Sequence, residues 1–170
     1  MFDLAAPDEY GAFLNLVQHH GYPTPFLDWT RSPYVAAFFA FRTVNREQVA
    51  SAEKVRIHVF DQGRWRQDWN QVMLIDPPRP HVSVGEFIAI ENERMIPQQS
   101  VSIVTSIDDV ETYVRSKESK DKRYLWALDV PMRERDKVVQ ELRYMGTTAG
   151  ALFPGLDGEC EELRERNFDL

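Results

Sequence analysis

Apolar and polar positions along this chain repeat with two periods, and the places where one gives way to the other mark its elements. Tyr10, Phe13, Leu14 and Val17 fall at i, i+3, i+4 and i+7, one face of a helix that Asp8 can cap and Gly21 can stop. Pro23 and Pro25 remove donors and push their predecessors extended, so "FLDWT" reads as a short strand or extended turn. Thr30 or Ser32 then caps a second helix with Pro33 in its first turn. That helix, "PYVAAFFAFRTV", is apolar nearly all round and needs cover on most sides, which makes it central.

Beyond it the period shortens to two. Val55, Ile57 and Val59 alternate with Arg56 and His58 in "KVRIHVFD", a strand with one buried face. "QVMLIDPPRP", "GEFIAIEN", "SVSIVTS" and "YLWALDVP" read as further strands. Ser106 with Asp109 three residues on resembles a capping box opening the helix "DDVETYVRSKE", and "RSKESKDKR" reads as a solvated helix end or loop. "RERDKVVQELRYMG" is a helix with Val138, Leu142 and Met145 on one face and Gly146 as its stop. A Gly/Pro-rich turn and a short acidic helix close the chain. The sum is an α+β fold, a mostly antiparallel sheet with packed helices.

Composition narrows the class. With 170 residues, 43% of them apolar, the chain has the size and core of one domain, residues 1–170. A net charge of −7 disfavours non-specific contact with a phosphate backbone. The single cysteine, Cys160, excludes an internal disulfide and a Cys-based zinc cluster, and suits a reducing, cytoplasmic compartment. No basic segment with a following apolar run opens the chain, and no stretch approaches the ~18 apolar residues of a membrane span.

Candidate chemistry concentrates in "QHHGYPTPFLDWTRSPYVAAFFAF", Gln18 to Phe41. A carboxylate between Leu27 and Trp29 reads as buried, so Asp28 is expected either to accept backbone N–H bonds in the Pro-rich turn or to orient a ligand hydroxyl or a histidine. His19 and His20 project about 100° apart on a helix and cannot share a metal as an i, i+4 pair does. Each is either a helix-end imidazole or an acid, base or donor in a cleft. Trp29, Tyr34, Phe38, Phe39 and Phe41 read mostly as core, with Trp29 or Tyr34 available to stack on a planar ring. The chain has no phosphate loop, nucleophile elbow, H-E-x-x-H or EF-hand loop.

This stretch resembles the signature of the FRG domain, Gln-His-x-Gly-x-Pro-Thr-x-x-Leu-Asp-Trp-Thr-x-x-Pro-x-x-Ala-x-x-Phe-Ala. "NERMIPQQSVS" is similar to the family's Asn-x-Arg-x-x-x-Gln-Gln-Gly-x-Phe, and "ELRYMGTTAGALFPGLDG" to its Leu-Phe-Pro-x-Leu-Asp-Gly block. Ser100 and Ser102 depart from that pattern, as does Pro25 where Arg is usual. The family's Phe/Tyr-Arg-Gly segment is missing, the first arginine being Arg31. The family is in turn similar to ADP-ribosyltransferases, in which a strand-end motif precedes a helix of the Ala-x-x-Phe-Ala kind, here Ala36, Phe39 and Ala40. The resemblance implies an ADP-ribosyltransferase-like fold and NAD or a related nucleotide as ligand, with a protein or nucleic-acid acceptor, in a toxin or phage-defence system. Carried onto this chain, it implies Asp28, His20, Gln98 and Glu93, with Glu91 as an alternative to Glu93, for the chemistry. His19, Trp29, Thr30, Tyr34 and Arg94 would hold the cofactor: an aromatic ring on the base, Thr30 and Gln98 on ribose, and Arg94 on a phosphate. Two alternatives stand beside it: a non-catalytic interaction or regulatory module, and a metal-dependent nuclease or nucleotide hydrolase.

Overall fold

The computed structural model describes residues 2–44, 46–49, 53–72, 79–85 and 92–168. Its helices are α1 (Pro7–His19), α2 (Pro33–Arg42), α3 (Arg46–Val49), α4 (Gln62–Asp68), α5 (Val110–Ser116), α6 (Arg135–Tyr144), α7 (Ala149–Leu152) and α8 (Leu156–Phe168). The strands are β1 (Phe26–Thr30), β2 (Lys54–Phe60), β3 (Val82–Gly85), β4 (Ser100–Thr105) and β5 (Leu125–Pro131). The class is α+β, as the pattern predicts. The chain divides into two compact units built from interleaved stretches. The first takes Met1–Trp29, Val59–Asn92 and Ser100–Trp126, and the second Thr30–His58, Glu93–Gln99 and Ala127–Leu170.

In the first unit β4 lies between β1 and β3. β3 runs antiparallel to β4, with Val82 opposite Thr105 and Gly85 opposite Ser102. Trp65, at 1% exposure, anchors the core with Val84, Ile103, Val114 and Tyr124 around it. Its indole N–H donates to the Val82 carbonyl at 2.9 Å, so the largest buried ring leaves no polar atom unmet. α1 starts on Pro7 with Ala6 at the cap position, two residues ahead of the cap expected at Asp8, because the proline ring presets the first helical φ. Its other end is the predicted stop. Gly21 takes φ 86°, its N–H donates to the Gln18 carbonyl at 2.8 Å, and that of Tyr22 donates to Val17 at 2.9 Å, a Schellman closure. Asn15 is buried on this helix because its Nδ2 donates to Ser102 Oγ at 2.8 Å.

The second unit contains the ladder of β2 and β5 at Arg56 and Asp129, whose side chains form a two-pronged ion pair at 2.7 and 2.9 Å. α2 packs on α6 through Val35, Phe38 and Leu142, joined by Ala149 and Leu152 of α7. Phe41, Val44 and Val55 form a second cluster. Ser32 caps α2, its Oγ accepting from Val35 N–H at 3.3 Å, with Pro33 following at the first helical position. α6 ends as α1 does, on Gly146 at φ 75°, with the Thr147 N–H donating to Leu142 at 2.9 Å.

Four sequence expectations change. α2 is not covered all round, since Tyr34 and Phe39 are 51% and 41% exposed and only Val35, Phe38 and Phe41 are buried. The alternation of β2 breaks at Val59, which is 53% exposed. The chain enters the first unit at that residue, and burial passes to Phe60, which packs on Trp65. Asp109 itself caps α5, accepting from Thr112 N–H at 2.9 Å, while Ser106 Oγ accepts from the His81 N–H at 3.3 Å. Met145 is 50% exposed, because the Schellman turn at Gly146 carries it off the buried face of α6. The strands expected in "QVMLIDPPRP" and "GEFIAIEN" fall largely outside the described residues, and β3 between them is a strand the pattern did not announce. Among the described residues no helix is long and apolar enough to cross a membrane.

Candidate functional site

β1 carries the Leu-Asp-Trp-Thr motif, and its cover differs from the expectation. Asp28 is exposed, as is Leu27 at 40%, so the burial that its apolar neighbours suggested is not found. Trp29 turns into the first unit, its ring 5.7 Å from that of Phe60. Its Nε1–H is buried with no acceptor among the described residues. His20 is the exposed C-cap residue of α1, and His19 is the last residue of that helix, its side chain outside the described part. Gln18 Oε1 accepts from the Thr24 hydroxyl, which itself accepts from Phe26 N–H at 3.3 Å, fixing the Pro-rich turn.

In the second unit, residues from the three motif blocks meet. The Thr30 hydroxyl donates to the Gln98 carbonyl at 2.7 Å and accepts from Ser32 N–H at 3.0 Å. The next N–H, that of Arg31, donates to the Gln99 carbonyl at 3.1 Å. Gln98 Nε2 donates to the Leu152 carbonyl at 3.0 Å, tying the 93–99 turn to the end of α7. Gln99 sits at φ 49°, a left-handed conformation rare for a residue with a side chain. The strain is held by its two bonded neighbours, Gln99 N–H to Ile96 and Arg31 N–H to Gln99.

Around this turn lies an open cleft of about 250 Å³ lined by Arg42, Arg94, Phe153, Asp157, Gly158 and Glu161. The guanidinium of Arg94 stands 5.1 Å from the Phe153 ring centre and that of Arg42 4.9 Å from it. Arg42 also pairs with Glu161 and, at 3.0 Å, with Glu165. Hydrogen bonds from Arg164 and Arg42 hold the Glu161 carboxyl below its ordinary pKa. Arg94 and Asp157, by contrast, form no ion pair among the described residues. Gly158 is required by the close approach of α8 to the preceding loop, since a Cβ there would fall 1.8 Å from the Phe153 carbonyl oxygen.

The structure therefore brings Thr30, Arg94 and Gln98 into one bonded group, with Tyr34 and Glu93 exposed in the same unit. Asp28, His20 and Trp29 belong to the first unit, and Glu91 lies outside the described residues. Arg42, Phe153, Asp157, Gly158 and Glu161 were not among the expected site residues. Phe153, Asp157 and Gly158 stand in the Leu-Phe-Pro-x-Leu-Asp-Gly block, and that motif was the signal for them. Arg42 follows Phe38 by one helical turn, a spacing that places its cation on the same face as the ring. Among the described residues no three His, Cys, Asp or Glu side chains gather as a metal ion requires.

Residues 3–49 of the chain match the family model of the FRG domain. The match bears out the resemblance read from the Gln18–Phe41 stretch, and the two later motif blocks lie beyond it. No curated protein and no solved structure gave a significant match.

Proposed function

We propose that this FRG-domain chain binds a nucleotide, with NAD as the candidate, through the cleft of its second unit. The observation that carries the reading is the joining of the three motif blocks there, by Thr30 to Gln98, Gln98 to Leu152 and Arg94 to Phe153. Charge supports it, because Arg94 faces an open cleft with a guanidinium that no carboxylate among the described residues neutralises. On this reading Arg94 meets a phosphate. The hydroxyl of Thr30 and the amide of Gln98 are committed to backbone partners, so they hold the turn that presents Arg94. An ADP-ribosyltransferase-like reaction, in a toxin or phage-defence setting, extends the proposal. The ribosyl cation formed as nicotinamide leaves needs a carboxylate, and Glu93, exposed on the same turn, is the acid nearest Arg94 in the chain. Calorimetric titration of the chain with NAD, with the same samples assayed for released nicotinamide, tests binding and chemistry together. Binding with release supports the transferase extension, binding without release a nucleotide sensor, and no binding defeats the proposal.

A second reading has its own support. If Thr30, Ser32 and Gln98 only brace the turn, as their backbone bonds permit, the unit is a non-catalytic interaction module. Half-exposed Tyr34 and Phe39 on α2 would then serve a protein partner. That reading expects no nucleotide binding by the intact chain.

A further inference from the structure

The cleft of the second unit contains two cations and two acids, but they are not equivalent. Arg42 is paired with Glu161 and Glu165, and Glu161 also receives Arg164. Those charges cancel within the protein. What remains facing the opening is one guanidinium, Arg94, and one carboxylate, Asp157, neither of them in an ion pair among the described residues. A ligand that satisfies both presents acceptor oxygens to the first and hydroxyl donors to the second.

The Phe153 ring that lines the same cleft offers little further surface. Phe153 already carries Arg42 at 4.9 Å and Arg94 at 5.1 Å from its centre, with Phe38 and Phe39 tilted or edge-on against it at 6.2 and 5.9 Å. A base has no open aromatic face to stack on there. The volume of about 250 Å³ lies below the range of roughly 300–1,000 Å³ typical of pockets that enclose a drug-sized ligand. A dinucleotide does not fit inside it, whereas one sugar and one phosphate do.

Building on the nucleotide reading above, we infer that the cleft is a phosphoribosyl subsite: Arg94 binds the phosphate, Asp157 accepts from the vicinal hydroxyls of the ribose, and the base stays outside. The exclusion of the base makes this a site for any phosphorylated ribose, whichever nucleobase is attached.

Titration of the full chain with ribose 5-phosphate, AMP, NAD, adenosine, inorganic phosphate and glycine, in wild type and two variants, tests the assignment. Arg94→Met keeps an apolar stem over Phe153 while removing the charge, and Asp157→Asn keeps shape at the start of α8; thermal melts report whether each variant folds. The expected result is binding of ribose 5-phosphate and AMP but not adenosine. Affinity should fall at least about tenfold in Arg94→Met, the size of a charge-assisted hydrogen bond. In Asp157→Asn, ribose 5-phosphate should weaken while inorganic phosphate does not. If NAD binds with unchanged affinity in a folded Arg94→Met, the subsite and the phosphate role of Arg94 are both wrong, and only nucleotide binding elsewhere on the chain survives. Adenosine binding as well as AMP, or glycine displacing ribose 5-phosphate by bridging the same two charges, overturns the subsite alone. If none of the phosphate-bearing compounds binds, both readings fall.

Discussion

The side-chain amide of Gln98 donates to the backbone carbonyl of Leu152 at 3.0 Å, tying the 93–99 turn to the end of α7 across 54 positions of sequence. The same residue's carbonyl is held by Thr30 Oγ1 at 2.7 Å. The turn that carries Arg94 is thus fixed from both sides by bonds to main-chain groups.

Gln98→Glu tests the donor role. A carboxylate cannot donate to Leu152, so the change leaves a half-buried carbonyl unmet and places a negative charge beside it. The expected loss is about 1–3 kcal/mol in urea unfolding, and Gln98→Ala should lose less because no charge is added. Equal stability of Gln98→Glu and wild type would show that the bond does not form in solution.

Gln99 offers the opposite change. At φ 49° its Cβ is strained, and its side chain is exposed. Gln99→Gly removes the strain while adding freedom to the unfolded chain, for a net gain of up to about 1 kcal/mol. A thermal melt that shifts downward would contradict the left-handed assignment.

At Gly158 the tolerance is nil. Ala places a methyl carbon 1.8 Å from the Phe153 carbonyl oxygen, so α8 or its preceding loop must move. We expect a loss of roughly 1–3 kcal/mol, as for other overpacked sites, although alanine favours helices. Retained stability would mean that α8 does not approach Phe153 this closely.

His81 makes the first unit sensitive to acid. The residue is 6% exposed, its Nδ1 lies 3.2 Å from Ser106 Oγ, and burial lowers its pKa. The folded state therefore holds the neutral ring, while the unfolded chain takes up a proton near pH 6.5. Stability from this residue is complete above that pH and falls as pH drops through it, because only the unfolded state gains the proton. His81→Asn keeps a polar group for Ser106 but does not titrate. The stability advantage of wild type over this variant should shrink from about pH 8 to pH 5, and an advantage that grows would reverse the assignment.

How much of this was legible in the sequence depends on where each signal resides. The caps and stops were visible because Ser32, Pro33, Gly21 and Gly146 act through their own backbone preferences. β3 was not, since four residues with both faces buried show no alternation, and Ser83 is buried only because its Oγ accepts from Val72 N–H at 2.7 Å. Trp65 stands among charged residues in α4, and nothing local marks it as the centre of a core. The same holds at the site. Thr30, Arg94 and Gln98 were named from their motifs, but their partners include carbonyls of Gln98 and Leu152, which every residue possesses and no pattern singles out. Asp28 was misjudged because its two apolar neighbours suggested burial, whereas exposure is set by what the fold places over a strand.

The central claim is that Arg94 recognises the ligand's phosphate, and it rests on one measurement more than any other. Wild type and Arg94→Met, both confirmed folded by thermal melt, are titrated with NAD by calorimetry at low ionic strength. The account predicts binding by wild type and at least about a tenfold loss in the variant, the weight of a charge-assisted bond. Equal affinity in the two proteins would contradict it.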